Sequence, residues 1–192
     1  MKHPIVLLIL ICISIAGMAH SQTADSLEGK KALMFSFNGL NLGGGFGAKY
    51  WISGSTALRF SLSGSYGDAK ASLDDLDESE SIDISVTPAI GIERHYSVAD
   101  KLSAYGGGGV SYTFYSSQYK YDYLKGYSKS ITDTYAGIIF MGVEYWLTKS
   151  ISLAGEQQVA ISYDIRTTNS GGENKGVNFA NSTSRLQLSI YF

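Results

Sequence analysis

The stretch SRLQLSIYF, residues 184–192, constrains the fold of this 192-residue chain more than any other. Leu186, Leu188, Ile190 and Phe192 alternate with Arg185, Gln187, Ser189 and Tyr191, the period of a strand with one apolar and one polar face. Soluble domains usually leave their last few residues frayed. A strand that runs to residue 192 and stops on a large aromatic ring needs a partner along its edge. The same alternation recurs upstream. In 58–66, Leu58, Phe60, Leu62, Gly64 and Tyr66 oppose Arg59, Ser61, Ser63 and Ser65. In 82–93, Ile82, Ile84, Val86, Pro88, Ile90 and Ile92 oppose Asp83, Ser85, Thr87, Ala89, Gly91 and Glu93. Segment 151–164 repeats the pattern, and further strands are expected over 31–38, 44–52, 102–115, 131–147 and 182–192.

Several of these eight segments reach ten residues or more. A soluble strand typically has about five or six residues, whereas a strand crossing a bilayer needs about 9–11. The connections alternate in length. SGST (53–56), VADK (98–101) and TKS (148–150) are short, while 68–81, 116–130 and 165–181 are long, polar and rich in Ser, Asp, Lys and Gly. Short turns at one end and long loops at the other are the topology of an outer-membrane barrel. The sequence therefore predicts an all-β fold, an eight-stranded antiparallel up-and-down transmembrane β-barrel over 31–192.

The other end of the chain agrees with export. Residues 1–21 place Lys2 before an apolar run from Ile5 to Ile15, followed by Ala19-His20-Ser21, the layout of a secretory signal peptide. Ile11 before Cys12 lacks the small residue that a lipoprotein signal requires. Residues 22–30 are then expected as a short periplasmic segment. Removing 21 of 192 residues leaves 171, with no Cys, hence neither disulfide nor thiol chemistry. Loss of Lys2 takes the basic count from 15 to 14, against 17 acidic residues, so no basic excess draws nucleic acid.

GAKYW (47–51), GIERHY (91–96) and GVEYW (142–146) each precede a short turn, an internal repeat that fixes the hairpin phase. The aromatics then fall at two heights. Tyr50, Trp51, Tyr96, Tyr145, Trp146 and Phe192 are expected at the inner interface, and Tyr66, Tyr112, Phe114, Tyr135 and Tyr163 at the outer one. Pro88 cannot donate a ladder hydrogen bond, so a bulge is expected in the fourth strand.

With its alternating Leu186, Leu188 and Ile190 and its terminal Phe192, the chain resembles outer-membrane β-barrel proteins, most closely small eight-stranded barrels of the OmpA/OmpX type. That resemblance implies that Leu188, Ile190 and Phe192 form a signal read by the barrel-assembly machinery. It also implies a place in the outer membrane of a Gram-negative-type bacterium, among outer-membrane lipid and lipopolysaccharide. The expected role is non-enzymatic, structural or surface-interacting (adhesion-like) through the long loops, as a monomer with no cofactor. A porin-like small-solute channel is the alternative.

Chemistry concentrates on the inward faces. Lys49, Arg59, Glu93, Glu144, Glu156 and Arg185 are expected to form an ion-pair network filling the lumen, since eight strands leave room for little besides side chains. Glu156 and Arg185 fall at similar height on adjacent strands and are expected to pair. His95-Tyr96-Ser97 raises the possibility of a His–Ser hydrolytic pair, but His95 faces inward near a short turn, far from outer-leaflet lipid. The acidic run DDLDESE (74–80) lacks the oxygen spacing and turn Gly of a calcium loop and reads as solvated. YKYDYLKGY (119–127) reads as strand extension or as a sticky surface for an extracellular protein or glycan. GGGG (106–109) has no following Lys or helix to hold phosphate, and reads as room for neighbouring aromatics.

Overall fold

The computed structural model describes residues 27–38, 41–72, 78–121, 126–169 and 171–192; the signal peptide expected over 1–21 lies outside them. Eight strands follow one another: β1 (Lys31–Asn38), β2 (Asn41–Trp51), β3 (Thr56–Ser72), β4 (Glu78–Ala99), β5 (Leu102–Tyr121), β6 (Gly126–Trp146), β7 (Ile151–Thr168) and β8 (Glu173–Tyr191). Each pairs antiparallel with its sequence neighbour, and β8 returns to β1, so the sheet closes as an up-and-down barrel. Closure answers the question posed by residues 184–192. Phe35 stands opposite Leu188 and Phe37 opposite Leu186. The Lys31 N–H donates to the Phe192 carbonyl at 3.2 Å, and the Phe192 N–H to the Lys31 carbonyl at 2.9 Å.

The two faces of the wall are the reverse of a soluble barrel's. On β7, Ser152, Ala154, Glu156 and Gln158 are buried in the lumen, while Leu153 and Val159 are exposed outside. Phe60, Ile90 and Val110 follow one another in register across β3, β4 and β5, all exposed. A continuous apolar exterior around a polar interior suits hydrocarbon as the outer solvent. Closure also pairs the backbone within the wall, the condition that hydrocarbon imposes, from the short-turn end up to Phe37 and Leu186.

Six strands outrun the expected boundaries. β3 to β8 run for 17, 22, 20, 21, 18 and 19 residues, against 8 for β1 and 11 for β2. Much of 68–81, 116–130 and 165–181, expected as loops, is therefore strand. Beyond the apolar belt both faces turn polar, which hides the alternation while the backbone ladder continues. Cross-strand pairs support it there: Lys120 Nζ lies 3.3 Å from Glu80 Oε2, and the Tyr115 hydroxyl donates to Asp83 at 2.8 Å. Part of the acidic run, 78–80, is thus the start of β4, and 119–121 and 126–127 of the Tyr/Lys segment lie in β5 and β6; 74–77 and 122–125 fall outside the described residues.

The wall is lopsided as a result. Pairing of β1 with β8 stops at Phe37 and Leu186, and pairing of β2 with β3 stops at Gly45 and Ser63. Beyond those points, 64–72 of β3 and 173–185 of β8 have no ladder partner on that side among the described residues. The outer part of the molecule is a six-stranded sheet with two free edges.

Pro88 does not bulge β4. Leu62 faces Pro88, and the register of β4 with β5 is the same at Val86–Phe114 as at Ala89–Ser111. Proline costs one ladder bond and needs no extra residue; on the lumen side Thr87 Oγ1 and Thr113 Oγ1, 2.8 Å apart, bridge the strands. The irregularity in β4 lies instead between Ser97 and Ala99, at the short turn.

At the short-turn end, residues 27–30 fold across the barrel mouth. The Gly29 N–H donates to the Trp51 carbonyl at 2.9 Å, and Gly29 takes φ 76°, a conformation glycine adopts without a Cβ clash. Leu27 packs on a cluster of Ala32, Trp51, Ala57 and Tyr191.

Candidate functional site: the lumen

Parity places the charges. Lys49 on β2, Arg59 on β3, Glu93 on β4, Glu144 on β6 and Glu156 on β7 all fall on the inward phase and are buried, and Arg185 on β8 is half-buried. Five strands thus deliver five ionic groups to one layer. Lys49 Nζ lies 2.7 Å from Glu93 Oε1. Arg59 reaches across the barrel to Glu156, with Nη1 2.5 Å from Oε2 and Nη2 3.1 Å from Oε1, and lies 3.4 Å from Glu93 Oε2.

The expected pair of Glu156 with Arg185 is absent, although the two residues stand directly opposite in the β7–β8 register. The reason is saturation. Glu156 Oε1 accepts from Arg59 and, at 2.6 Å, from Gln158; Oε2 accepts from Arg59 and, at 3.0 Å, from the Tyr105 hydroxyl. Four donors fill the roughly four lone-pair positions of a carboxylate.

Glu144 is held by the Ser152 hydroxyl and by the Tyr191 hydroxyl, the latter at 2.8 Å. His95 lies between the remaining acids, with Nε2 2.9 Å from Glu93 and Nδ1 3.4 Å from Glu144. Both ring nitrogens face carboxylate oxygens.

Aromatic rings fill the space between the charges. His95 lies between Trp51, centroids 4.6 Å apart, and Tyr105, stacked at 4.9 Å. The Arg59 guanidinium lies 4.6 Å over the Phe140 ring. Two glycines make room for these rings. A Cβ at Gly107 would come within 2.7 Å of the Phe140 ring, and one at Gly142 within 2.6 Å of the Tyr105 ring. This is what the glycine run of β5 does: it admits a large side chain from the next strand.

Trp51 and Trp146 do not join the outward girdle. Trp51 is fully buried in the lumen, and Trp146 packs on Tyr191 with centroids 4.5 Å apart. Adjacent residues on a strand face opposite ways, so Tyr50 and Trp51 cannot both meet lipid. Tyr50, Tyr145 and Phe192 are exposed outside. At the other height, Tyr112, Tyr135 and Tyr163 follow one another in register.

Lys49, Glu93 and Glu144 are at most 1% exposed, so the layer packs as a plug of side chains shielded from water. A cavity of about 620 Å³ at the short-turn end is lined by Leu27, Lys30, Trp51, His95, Lys101 and Trp146, among others. A smaller recess of about 60 Å³ lies at the plug's other side, lined by Ser61, Ser63, Thr87, Ser111, Gln158 and Arg185, among others. Tyr105, Phe140, Gln158, Ser152 and Tyr191 complete the plug without having been singled out in the sequence. Each shares the inward parity of a charge on its own strand or its partner, which is the signal that identifies it.

No protein-family model matches the chain, and no curated protein matches it in sequence. Solved structures similar to it include CarO2 of Acinetobacter baumannii, at 10% identity and TM-score 0.48 over 85% of this chain and 98% of that one. The N-terminal β-barrel domain of Pseudomonas aeruginosa OprF is similar at 12% identity and TM-score 0.47, over 86% and 98%. Ail, the attachment invasion locus protein of Yersinia pestis, is similar at 14% identity and TM-score 0.42, over 86% and 99%.

Proposed function

We propose that the chain is a non-enzymatic outer-membrane barrel of a Gram-negative-type bacterium whose role is surface interaction, adhesion-like, with the lumen closed. The observation that carries this reading is the extension of β3–β8 beyond the ends of the β1–β8 and β2–β3 ladders as a six-stranded sheet with two free edges among the described residues. Free edges are templates for an added strand, and Tyr and Lys side chains on such a sheet suit protein or glycan contact. Lipid and lipopolysaccharide would surround the belt, and the assembly machinery would read Leu188, Ile190 and Phe192 during insertion. A porin-like channel fits less well with the burial of Lys49, Glu93 and Glu144. The test is a trimmed barrel in which 68–81, 116–130 and 165–181 are each replaced by a short turn. Cells displaying the full chain should bind immobilised matrix proteins or glycans, and cells displaying equal amounts of the trimmed barrel should not. Equal binding by both overturns the proposal.

A further inference from the structure

We propose that the recess on the outer side of the plug is a binding subsite for a small oxyanion, a carboxylate or phosphate, with Arg185 as its counter-charge. The argument starts from acceptors. Lys49 is matched by Glu93, and Arg59 by Glu156 and Glu93. His95 lies between Glu93 and Glu144, so each of the three carboxylates of the layer has a partner other than Arg185. Glu156, the acid directly across the β7–β8 ladder from Arg185, has its lone pairs taken by Arg59, Tyr105 and Gln158. Arg185 therefore forms no ion pair among the described residues, and its Nε, shielded from solvent, has no hydrogen-bond partner. Arg185 also lines the recess, so its guanidinium can take an acceptor from there.

The recess itself fits that role. Ser61, Ser63, Thr87 and Ser111 put hydroxyl groups around the guanidinium, and no carboxylate is among the residues that line it. Its volume, about 60 Å³, is enough for one small anion. Arginine's planar fork matches the geometry of carboxylate and phosphate oxygens. The lining residues follow Arg59 and Glu156 toward the long-strand end, so the anion enters from that side. Two acids stand nearer that mouth and are occupied: Asp83 accepts from Tyr115, and Asp164 from Asn178. Their charge opposes entry, so binding draws on the guanidinium of Arg185, with Arg59 also lining the recess.

The experiment uses the full mature chain refolded in detergent micelles, its arginine Nε–H signals followed by NMR while inorganic phosphate, and separately acetate, is titrated at constant ionic strength. A saturable shift of the Arg185 signal is expected, larger than any at Arg94 or Arg166. Arg185→Gln should weaken the binding of either anion at least tenfold, while Lys175→Gln, an exposed site on the projecting sheet, leaves it unchanged. No saturable shift at Arg185, or shifts confined to Arg94 and Arg166, overturns the proposal. Should Arg185→Gln fail to fold on a heat-modifiability gel, the wild-type shift pattern still decides.

Discussion

Arg59 on β3 and Glu156 on β7 meet across the whole width of the lumen through two parallel contacts, at 2.5 Å and 3.1 Å. The pair joins strands that share no ladder, so it cross-braces the wall. Breaking a buried pair by removing one partner costs about 3–5 kcal/mol, because the other charge stays buried and unmatched. Arg59→Met and Glu156→Gln should each destabilise the refolded barrel by about that amount in urea unfolding, and the double variant should recover part of the loss. The cycle of Glu156→Gln with Arg185→Met should show much weaker coupling. Equal coupling in the two cycles would mean that Glu156 serves Arg185 as well.

A closed lumen, as proposed, has an electrical consequence. In planar bilayers the wild-type barrel should give no steady unitary conductance. Arg59→Ala with Glu156→Ala removes the brace and opens space, and should produce openings. A steady wild-type current, with ion selectivity shifted by either substitution, would make the channel reading correct.

The orientation of the wall is open to labelling. An epitope inserted at Gly172, between β7 and β8, should bind antibody on intact cells. One inserted at Lys149, in the turn between β6 and β7, should bind only after the cells are permeabilised. The opposite pattern would invert the barrel.

Removing Phe192 tests the assembly reading. Its backbone makes two hydrogen bonds to Lys31, and its ring is exposed outside. The truncated chain should still be exported, with less folded barrel in the outer membrane by heat-modifiability gel. Unchanged folded barrel would separate Phe192 from assembly.

The glycines of the plug should differ in tolerance according to the ring they face. Gly107→Ala places a methyl against Phe140, and Gly142→Ala places one against Tyr105; each should cost about 1–3 kcal/mol by overpacking. Gly137→Ala, where a Cβ meets nothing within 4 Å, should cost little in the same unfolding assay.

Much of this architecture is written in the alternation of side chains. Leu58, Phe60 and Leu62 against Arg59, Ser61 and Ser63 assign both faces of β3, because a pleated strand offers no third choice. The same rule assigns Trp51 to the lumen with Lys49, whereas grouping aromatics by height alone put it in the girdle. Strand ends were less legible. At Lys70, Glu80 and Lys120 the large apolar side chains stop, although the ladder continues. Least legible was the choice of Arg59 over Arg185 as the partner of Glu156. Register gives the neighbours along a sheet, but a contact across the lumen depends on barrel width and on the reach of an arginine. Neither of these is periodic in the chain.

The seam between β1 and β8 has a kinetic side. It joins the first strand of the barrel to the last, so its hydrogen bonds close the longest loop that the fold contains. Loop-closure entropy has to be overcome before such contacts give anything back, and topologies dominated by distant pairings fold slowly. Seven ladders can form between sequence neighbours, hairpin by hairpin, while this one waits for all of them. Until it forms, the edges of β1 and β8 stand open, and a sheet with open apolar edges aggregates in water. The time of greatest exposure of those edges to water is set by that one seam.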